Sequence, residues 1–358
     1  MKDLSKTMLD DLNTIKRIDT HGLIDLCVNI PEHSRKAMRL AEQAPIKYGK
    51  PRNIVVAGMG GSAIGGELLH NWLVDRARVP IEVCRDHMLP AYADKDTLVF
   101  AVSYSGETEE TLNAFEDAVR KGCMVVSVTS GGRLQAFSNK HGFPCVVIPK
   151  GLPPRMAFPY LFFPLATAVQ QVGVVKVMEN EVEEVLRTLK KIVAENTPNV
   201  PVKKNWAKGL ALKVLGTIPV VYAAQKYAAV AHRWKTQFNE NSKLPSKYEV
   251  FPELNHNEVV GWENAKTFAK TFSLILLRDR DENPRIKRKI ELTKDIAFQD
   301  LPNLSEIYAT GESALAKMLS LLCIGDFVSI YLAILRRIDP FPVKAITKMK
   351  EEMMRSNG

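Results

Sequence analysis

A chain of 358 residues is longer than a single hydrophobic core usually serves, which predicts two domains. With 46% hydrophobic and 25% charged residues, the composition excludes a chain that is disordered over most of its length. The formal net charge of +9 is interrupted by acids even in the densest basic run, residues 278–294, and no nucleic-acid-binding motif accompanies it. We therefore expect a mildly basic surface and no nucleic-acid partner.

Cysteine usage and hydropathy indicate where the protein works. The five cysteines form no CxxC pair or other metal-ligand spacing, which favours a reducing compartment. The polar N-terminus is not typical of a signal peptide. The stretch that we interpret as the most apolar, residues 158–175, is interrupted by Pro159 and Pro164, which argues against a membrane span. These patterns predict a cytoplasmic protein without a membrane partner.

Short apolar runs and helical patterns alternate through the first half of the chain. A helical leader over residues 1–29 and a helix over residues 30–44 come before the alternation. Continuous apolar strands separated by helices are typical of a parallel sheet covered on both faces, so this half predicts an α/β domain. In chain order the elements are a strand at 53–57, a helix at 63–74, strands at 81–84 and 97–102, a helix at 107–121, and strands at 124–128 and 145–148.

The same pattern restarts in the second half, after a polar helix at 179–195 and a proline-bearing segment at 197–202. A long apolar helix at 313–337 mirrors the one at 158–172. We interpret the repetition as an internal duplication. The other predicted elements of this half are strands at 218–223, 248–251 and 271–277, and a helix at 227–237.

The predicted fold is therefore α/β, with two similar doubly wound parallel-sheet domains of the flavodoxin-like type. Residues 1–178 would hold the leader and the first domain, residues 179–338 the second domain, and residues 339–358 a C-terminal tail. In the second copy the sequence AQK stands where the first copy has GMGG after its first strand. Two similar domains therefore need not carry two phosphate sites.

A glycine-rich segment, GMGGSAIGG, joins the first predicted strand to the helix that follows it. Glycine lets the backbone come close to a ligand, and a helix N-terminus offers free amide groups to an anion. The pattern makes Gly60, Gly61 and Ser62 candidates for phosphate binding. Two other interpretations stay open: a tight turn that binds nothing, and a loose dinucleotide fingerprint in which Asp86 would bind a ribose.

A second polar loop, SYSGET, follows the third predicted strand and precedes a helix. Ser103, Ser105 and Thr108 would bring three hydroxyl groups to a helix N-terminus at the carboxyl end of a parallel strand, where open α/β sheets bind ligands. A phosphate monoester fits such a cluster, and a dinucleotide site does not require one. The alternative is a capping box in which Ser105 only caps the helix.

SYSGET after a third strand resembles the signature of sugar isomerase (SIS) domains. A fuller set of motifs resembles the bifunctional phosphoglucose/phosphomannose isomerase family and keeps the family's order over nearly the whole chain. Two of them, NENSK and NHNE, separate this family from sugar-phosphate-binding regulators and from aminosugar synthases. The set comprises GMGGSAIGG, SYSGET, PPR at 153–155, QFNENSK at 237–243, ELNHNE at 253–258 and DPFPVKAITKMK in the tail.

The resemblance implies an aldose–ketose isomerase that acts on glucose 6-phosphate through a cis-enediolate, without a metal or cofactor. Glu240 would be the base that moves a proton between C1 and C2; apart from the resemblance it is a surface acid at a helix end. Arg155 would face the enediolate oxygens. His256, together with Lys348, would open the sugar ring. In the family the partner subunit supplies the histidine, which implies a homodimer with a shared active site and a tail that returns to that site.

One residue departs from the family pattern. Relatives carry threonine between the two prolines of the tail, where this chain has Phe341. That threonine is associated with space near C2, which lets both epimers react, so Phe341 leaves mannose 6-phosphate open as a substrate. Two other functions also stay open: a non-catalytic sugar-phosphate-binding protein and a dinucleotide-binding oxidoreductase. The first is disfavoured because no DNA-binding helix-turn-helix pattern precedes Arg52.

Overall fold

The computed structural model describes residues 7–176, 179–299 and 301–356. The first six residues of the predicted leader, residue 178 at the predicted domain boundary and the last two residues of the tail lie outside this part. The described leader is helical, as predicted, and Pro31 lies in the first turn of its third helix, where its fixed φ is favourable. Its helices are α1 (Leu12–Ile18), α2 (Leu23–Val28) and α3 (Ile30–Glu42).

Five parallel strands form the first sheet. They are β1 (Asn53–Ala57), β2 (Ile81–Cys84), β3 (Thr97–Ser103), β4 (Met124–Thr129) and β5 (Cys145–Val147). Their order across the sheet is β2–β1–β3–β4–β5, and every residue of the central β3 is buried. All five predicted strands are confirmed to within one residue at each end.

Four helices alternate with these strands. They are α4 (Gly61–Leu73), α5 (Glu109–Arg120), α6 (Gly132–His141) and α7 (Phe158–Gln171). Helix α5 begins two residues later than predicted, because the SYSGET loop forms a turn of its own before Glu109. Helix α6 was not predicted: it buries only Leu134 and Ser138, which is too little for a helical pattern to stand out in the sequence.

The second pair of glycines in GMGGSAIGG serves helix packing. A Cβ atom on Gly65 would lie 2.7 Å from the carbonyl oxygen of Leu161 in α7, and one on Gly66 would lie 2.8 Å from the side chain of Val56 in β1. Both distances are too short for a real contact, so a larger residue at either position would push α4 away from its neighbours. These two glycines therefore hold α4 close to the sheet and to α7.

The second sheet has four parallel strands. They are β6 (Ile218–Ala224), β7 (Lys247–Phe251), β8 (Phe272–Arg278) and β9 (Leu304–Tyr308). Their order, β7–β6–β8–β9, repeats that of the first four strands of the first sheet, which agrees with the predicted duplication. Strand β9 was not predicted because only Ile307 in it is buried, so no apolar run marks it.

The described part of the second half also contains six α-helices: α8 (Glu179–Asn196), α9 (Trp206–Val214), α10 (Ala228–Glu240), α11 (Pro284–Ala297), α12 (Ala314–Leu335) and α13 (Lys344–Ser356). The largest hydrophobic cluster joins residues of both halves, among them Phe162 of α7, Leu189 of α8 and Leu322 of α12. The two sheets are thus connected by one continuous helical core.

The expectation that residues 158–175 form the most apolar stretch was wrong. Helix α12 is longer and has a mean hydropathy of 2.2 over its most apolar window, and by length and composition it is the one described helix that could cross a membrane. All of that window is buried inside the protein. Burial on every side, rather than on one stripe, explains why apolar residues occur on every face of this helix.

Candidate functional site

The glycine loop forms an open helix N-terminus at the carboxyl edge of the first sheet. Gly60 has φ 52° and ψ −122°, a conformation that favours glycine, and it is the N-cap of α4 without any side-chain capping bond. The first amide groups of α4 are therefore not capped by a side chain. Those of Ser62 and Ala63 donate to the Met59 and Gly60 carbonyl oxygens, which leaves the Gly61 amide to receive an anion. Ser62, in the first turn, is buried.

The SYSGET loop lies beside the glycine loop because β1 and β3 are neighbours in the sheet. The Ser103 and Thr108 hydroxyl oxygens are 2.8 Å apart, and Ser103 Oγ also accepts a hydrogen bond from the Gly106 amide at 3.1 Å. Ser105 is exposed and accepts from the Glu107 amide at 3.2 Å. Thr108, not Ser105, is the N-cap of α5, and it makes no side-chain capping bond. The capping-box alternative therefore does not describe this turn.

Tyr104, within SYSGET, connects this loop to the segment that precedes Arg155. Its hydroxyl group donates to the Pro149 carbonyl oxygen at 2.9 Å and accepts from the Leu152 amide at 2.7 Å. A Cβ atom on Gly61 would lie 3.0 Å from the Pro154 carbonyl oxygen. Both loops are thus in contact with the turn that carries the arginine.

Arg155 is only 4% exposed, and polar groups surround its guanidinium. Its Nε donates to Asn241 Oδ1 at 2.6 Å, and its Nη2 donates to the carbonyl oxygens of Pro340 and Phe341 at 2.8 and 2.9 Å. Its Nη1 lies 3.7 Å from Glu240 Oε2. Burial lowers the pKa of Arg155, and the nearby Glu240 carboxylate opposes that shift. The predicted arginine and the predicted base are therefore neighbours.

Antiparallel packing of two helices explains how distant motifs meet. Glu67 and Asn71 of α4 contact His232 and Ala229 of α10: the His232 Nδ1 atom is 2.9 Å from the Glu67 carboxylate, and the Ala229 amide donates to Asn71 Oδ1 at 2.7 Å. Residue numbers increase along α4 in the direction in which they decrease along α10, so the two helices are antiparallel. The N-terminus of α4, where the glycine loop ends, therefore lies at the same end of the pair as Glu240.

Glu240, the last residue of α10, has a side chain that is 29% exposed. It faces a cavity of about 590 Å³ between the end of α10 and the tail. The other lining residues include Asn239, Lys243, Asp339 and Val343. The carboxylate is therefore accessible on one side and is close to Arg155 on the other.

Sequence reasoning assigned no role to Lys243, which lies within QFNENSK. It adopts φ +53°, a conformation rare for residues other than glycine, and its Nζ donates to the carbonyl oxygens of Glu240 and, at 2.9 Å, Pro340. Burial, and then the positive charge of Arg155, lower the pKa of Lys243 to about 8. Lys243 and Arg155 thus hold the same tail carbonyl group from two sides.

Phe341 packs against the leader, a contact that the sequence did not predict. Its ring stacks on His21, with ring centroids 3.9 Å apart and planes 10° from parallel. Asp339 connects the same two segments, since it accepts from Thr20 Oγ1 at 2.8 Å and from the Phe341 amide at 2.9 Å. His21 lies outside every motif, so no signal in the sequence pointed to it.

Two predicted residues stay outside this cluster in a single chain. His256 is exposed at the end of a 3₁₀ turn (Glu253–His256), and Lys348 is exposed on α13. Within residues 7–176, 179–299 and 301–356, neither side chain makes a hydrogen bond or an ion pair. Asp86, the candidate ribose-binding acid, is exposed after β2 and accepts from the His87 amide at 2.6 Å.

Known families match both halves of the chain. A SIS-domain model matches residues 47–139, and a model described as the bacterial phospho-glucose isomerase C-terminal SIS domain matches residues 203–353. Among solved structures, a hypothetical protein from Thermus thermophilus has a TM-score of 0.74 at 17% identity and covers 96% of this chain and 94% of its own. A glucose-6-phosphate isomerase like protein from the same organism has a TM-score of 0.61 at 21% identity, covering 96% and 98%. These structures bear out the predicted fold.

Curated relatives extend the match over most of the chain. A protein from Caldicellulosiruptor bescii, named bifunctional phosphoglucose/phosphomannose isomerase, is 41% identical over 328 residues, which are 91% of this chain and 97% of the relative. A protein of the same name from Aquifex aeolicus is 39% identical over 84% of this chain and 90% of its own length. The motif-based resemblance is thereby confirmed, and the chain belongs to the bifunctional phosphoglucose/phosphomannose isomerase family.

Proposed function

We propose that this protein is a sugar-phosphate isomerase that interconverts glucose 6-phosphate and fructose 6-phosphate, with mannose 6-phosphate as a second aldose. The observation that carries the proposal is the pair of Arg155 and Glu240, 3.7 Å apart, beside a cavity and next to two loops suited to a phosphate. Family membership favours this function over a dinucleotide-dependent oxidoreductase. The pairing of a base with a cation favours it over a non-catalytic sugar-phosphate-binding protein.

The substrate's phosphate group would bind at the carboxyl edge of the first sheet. Backbone amides at Gly60 and Gly61 and hydroxyl groups around them would surround the anion, since helix N-termini and short hydroxyl side chains suit phosphate oxygens. The hydroxyl groups that we assign to this role belong to Ser62, Ser103, Ser105 and Thr108. The sugar carbon atoms would then extend toward Arg155 and Glu240.

Isomerisation requires one base and one cation at the reacting carbons. Glu240 would take the proton from C2 of the open aldose and return it to C1, with a cis-enediolate between the two transfers. The fixed guanidinium of Arg155 would stabilise the negative charge that develops on the enediolate oxygens. His256, with Lys348, would move the proton that opens the sugar ring.

The exposure of His256 supports a homodimer in which the active site is shared. In this arrangement the partner subunit's His256 would complete the site that holds Glu240. A symmetric dimer would then contain two such sites, because each subunit would supply one base and one ring-opening group.

Replacement of Glu240 by glutamine tests both the base and the shared site. Glu240→Gln should lower turnover about 10²–10⁴-fold, the usual contribution of a positioned general base, and leave fructose 6-phosphate affinity nearly unchanged. Glu195→Gln, at an exposed acid near the end of α8, is the matched control and should keep full activity. Mixing equal amounts of Glu240→Gln chains and inactive His256→Ala chains should restore about a quarter of wild-type activity. About half of the dimers would be mixed, and each mixed dimer regains one of its two sites.

Two outcomes would contradict this scheme separately. Undiminished turnover in Glu240→Gln would remove the base assignment. A mixture that exchanges subunits but recovers no activity would remove the shared site and leave the base assignment standing.

The epimer preference depends on the pair formed by Phe341 and His21. Phe341→Thr should raise the kcat/KM for mannose 6-phosphate, relative to that for glucose 6-phosphate, about tenfold. The reason is that a change in pocket space near C2 should alter discrimination about as much as one methylene group does in a hydrophobic pocket. Coupled assays with both aldoses measure the ratio. His21→Ala, which removes the stacking partner but keeps the phenyl ring, is the comparison variant. Equal ratios in wild type and Phe341→Thr would show that the ring does not limit the substrate.

We also propose the domain division given by the sequence pattern, with boundaries after residues 178 and 338, and a cytoplasmic location. The five cysteines are all free, as expected in a reducing compartment. Residues 339–358 would form the tail whose first carbonyl groups bind Arg155 and Lys243.

A further inference from the structure

Two buried polar residues interrupt the apolar surface of α12 beneath Arg155. Asp326 is 1% exposed and Ser329 is fully buried. Residues three positions apart lie on the same face of a helix, so both side chains are directed toward α10 and the turn before α7. Neither residue belongs to a motif that the sequence analysis singled out.

The first connection runs from Asp326 to the main chain of Arg155. Asp326 accepts hydrogen bonds from Arg233 Nη2 at 2.8 Å and Arg233 Nε at 3.2 Å, and from Gln237 Nε2 at 2.8 Å. Arg233 Nη2 also donates to the carbonyl oxygen of Arg155 at 2.9 Å. The Arg233 guanidinium lies 4.8 Å from the centre of the Phe158 ring, which fixes it from a further direction.

The second connection runs from Ser329 to the side chain of Arg155. Ser329 Oγ accepts from Asn241 Nδ2 at 2.9 Å, and Asn241 Oδ1 accepts from Arg155 Nε at 2.6 Å. Ser329 Oγ in turn donates to the Asp326 carbonyl oxygen at 2.8 Å. The two connections are therefore joined to each other on α12. Asn241 is fully buried and has no direct access to solvent.

We infer that Asp326 and Ser329 form a two-armed support that positions Arg155, one arm holding its main chain through Arg233 and the other its guanidinium through Asn241. A buried ion pair is weak evidence for stability, because well-packed apolar residues often replace such pairs without loss. The Asp326–Arg233 pair has a different purpose, because it belongs to a set of directional hydrogen bonds that hold both the main chain and the guanidinium of one catalytic arginine. A flexible arginine side chain that is fixed in advance loses less entropy when charge develops on the substrate.

The inference rests on the proposed role of Arg155, and two variants test it. Arg233→Lys keeps the charge but cannot bind Asp326 and the Arg155 carbonyl group in the same geometry; we expect kcat to fall about 10- to 100-fold, as for a 1 Å misplacement. Ser329→Ala, a smaller change that keeps the fold, should lower kcat about three- to tenfold by loosening Asn241. KM for glucose 6-phosphate should stay within about twofold in both, because the phosphate loops are untouched.

A matched control separates positioning from stability. Arg278 is equally buried, at 1% exposure, and binds three carboxylates, Glu282, Glu291 and Glu306, in the second domain. Arg278→Lys should lower the thermal midpoint of unfolding as Arg233→Lys does, and should keep wild-type kcat below that temperature. Affinity for a hydroxamate analogue of the enediolate should fall in Arg233→Lys and Ser329→Ala more than affinity for a hexitol 6-phosphate, which lacks the enediolate charge.

The Arg155→Met background decides whether the support acts through the arginine. Ser329→Ala should have no further effect on kcat in that background. Equal fold losses in both backgrounds would overturn the support while leaving the isomerase proposal intact. An unchanged kcat in Arg155→Met itself would overturn the catalytic role of Arg155 and, with it, the inference.

Discussion

The two sheets share the order of four strands, but only the first carries an edge suited to an anion. After β1 the chain turns through Gly60 into a helix whose first amide groups have no side-chain cap. After β6 the chain forms a 3₁₀ turn, Gln225–Tyr227, before its helix begins. The duplicated unit therefore keeps the sheet order and not the glycine turn.

Charge separates the two edges further. A cavity of about 300 Å³ at the carboxyl edge of the second sheet is lined by Asp279, Asp281, Glu282 and Glu312, among others. Lys317, which also lines it, pairs with Asp279 at 3.0 Å and with Asp281, so its charge is already neutralised. An edge of this kind repels a phosphate, whereas the first edge offers hydroxyl and amide donors.

The second domain contributes to the candidate site through the C-terminus of α10, the helix that is equivalent to α4. Helix α4 follows β1 and offers its N-terminus, and helix α10 follows β6 and offers Glu240 at its C-terminus. Their antiparallel packing places the glycine loop and Glu240 at one end of the pair. Duplication thus supplied the scaffold, and the relative orientation of the two copies made the site.

The difference between the two halves can be tested by mutation, and the largest effect is expected on replacing Gly106, the glycine of SYSGET. Gly106 has φ +72°, and a Cβ atom there would lie 1.9 Å from the Gly131 carbonyl oxygen. Gly106→Ala should lower the free energy of unfolding by about 3 kcal/mol or more, from the left-handed φ and the clash together. Gly209→Ala, in helix α9 of the second half with open space around it, should raise it by about 0.5–1 kcal/mol. Denaturant unfolding of both variants measures the contrast, and equal effects would contradict it.

A smaller effect is expected when one hydroxyl group is removed from the first edge. Ser103→Ala should raise KM for glucose 6-phosphate about 10- to 100-fold, since a hydrogen bond to a charged group is worth about 1.5–3 kcal/mol. Ser246→Ala, which removes a hydroxyl bonded to the Pro219 carbonyl oxygen in the second domain, should leave KM unchanged. An unchanged KM in Ser103→Ala would mean that the first edge does not bind the phosphate group through this residue.

A third effect, which depends on pH, concerns Lys243, where the two domains and the tail meet. Burial lowers the pKa of Lys243 to about 8 in the folded protein, from about 10.5 in the unfolded chain. Below pH 8 both states hold the proton, and the cost of burying the charge is fully present. Between about pH 8 and 10.5 the folded state releases its proton first, so stability should rise with pH relative to Lys243→Met.

Denaturant midpoints measured across that window test the prediction. The exposed Lys213→Met provides a reference for ordinary lysine titration. A wild-type curve that runs parallel to that of Lys243→Met from pH 8 upward would show that Lys243 keeps its proton in the folded state.

The sequence was informative wherever a local pattern decides the structure. Strands β1 and β2 were predicted to the residue, because short apolar runs bounded by turn residues are a strong signal. Strand β9 was missed because its half-exposed residues form no such run. His21 was missed for a different reason: its contacts near the site are with residues 320 and 318 positions away in sequence order, a ring stack on Phe341 and an Nδ1 atom 3.5 Å from Asp339 Oδ2.

The sequence by itself determined the α/β class, the duplication, the two loops at the first sheet and the family. It could name Arg155 and Glu240, because motifs preserve residue type and order. Only the tertiary structure decided that these two side chains are neighbours and that Asn241, itself bound by Ser329 of α12, holds the Arg155 guanidinium. It also decided that Lys243 and Arg155 bind the same tail carbonyl group, that of Pro340. The physical reason is that these contacts join segments far apart in the chain, so helix packing, rather than any local pattern, fixes them.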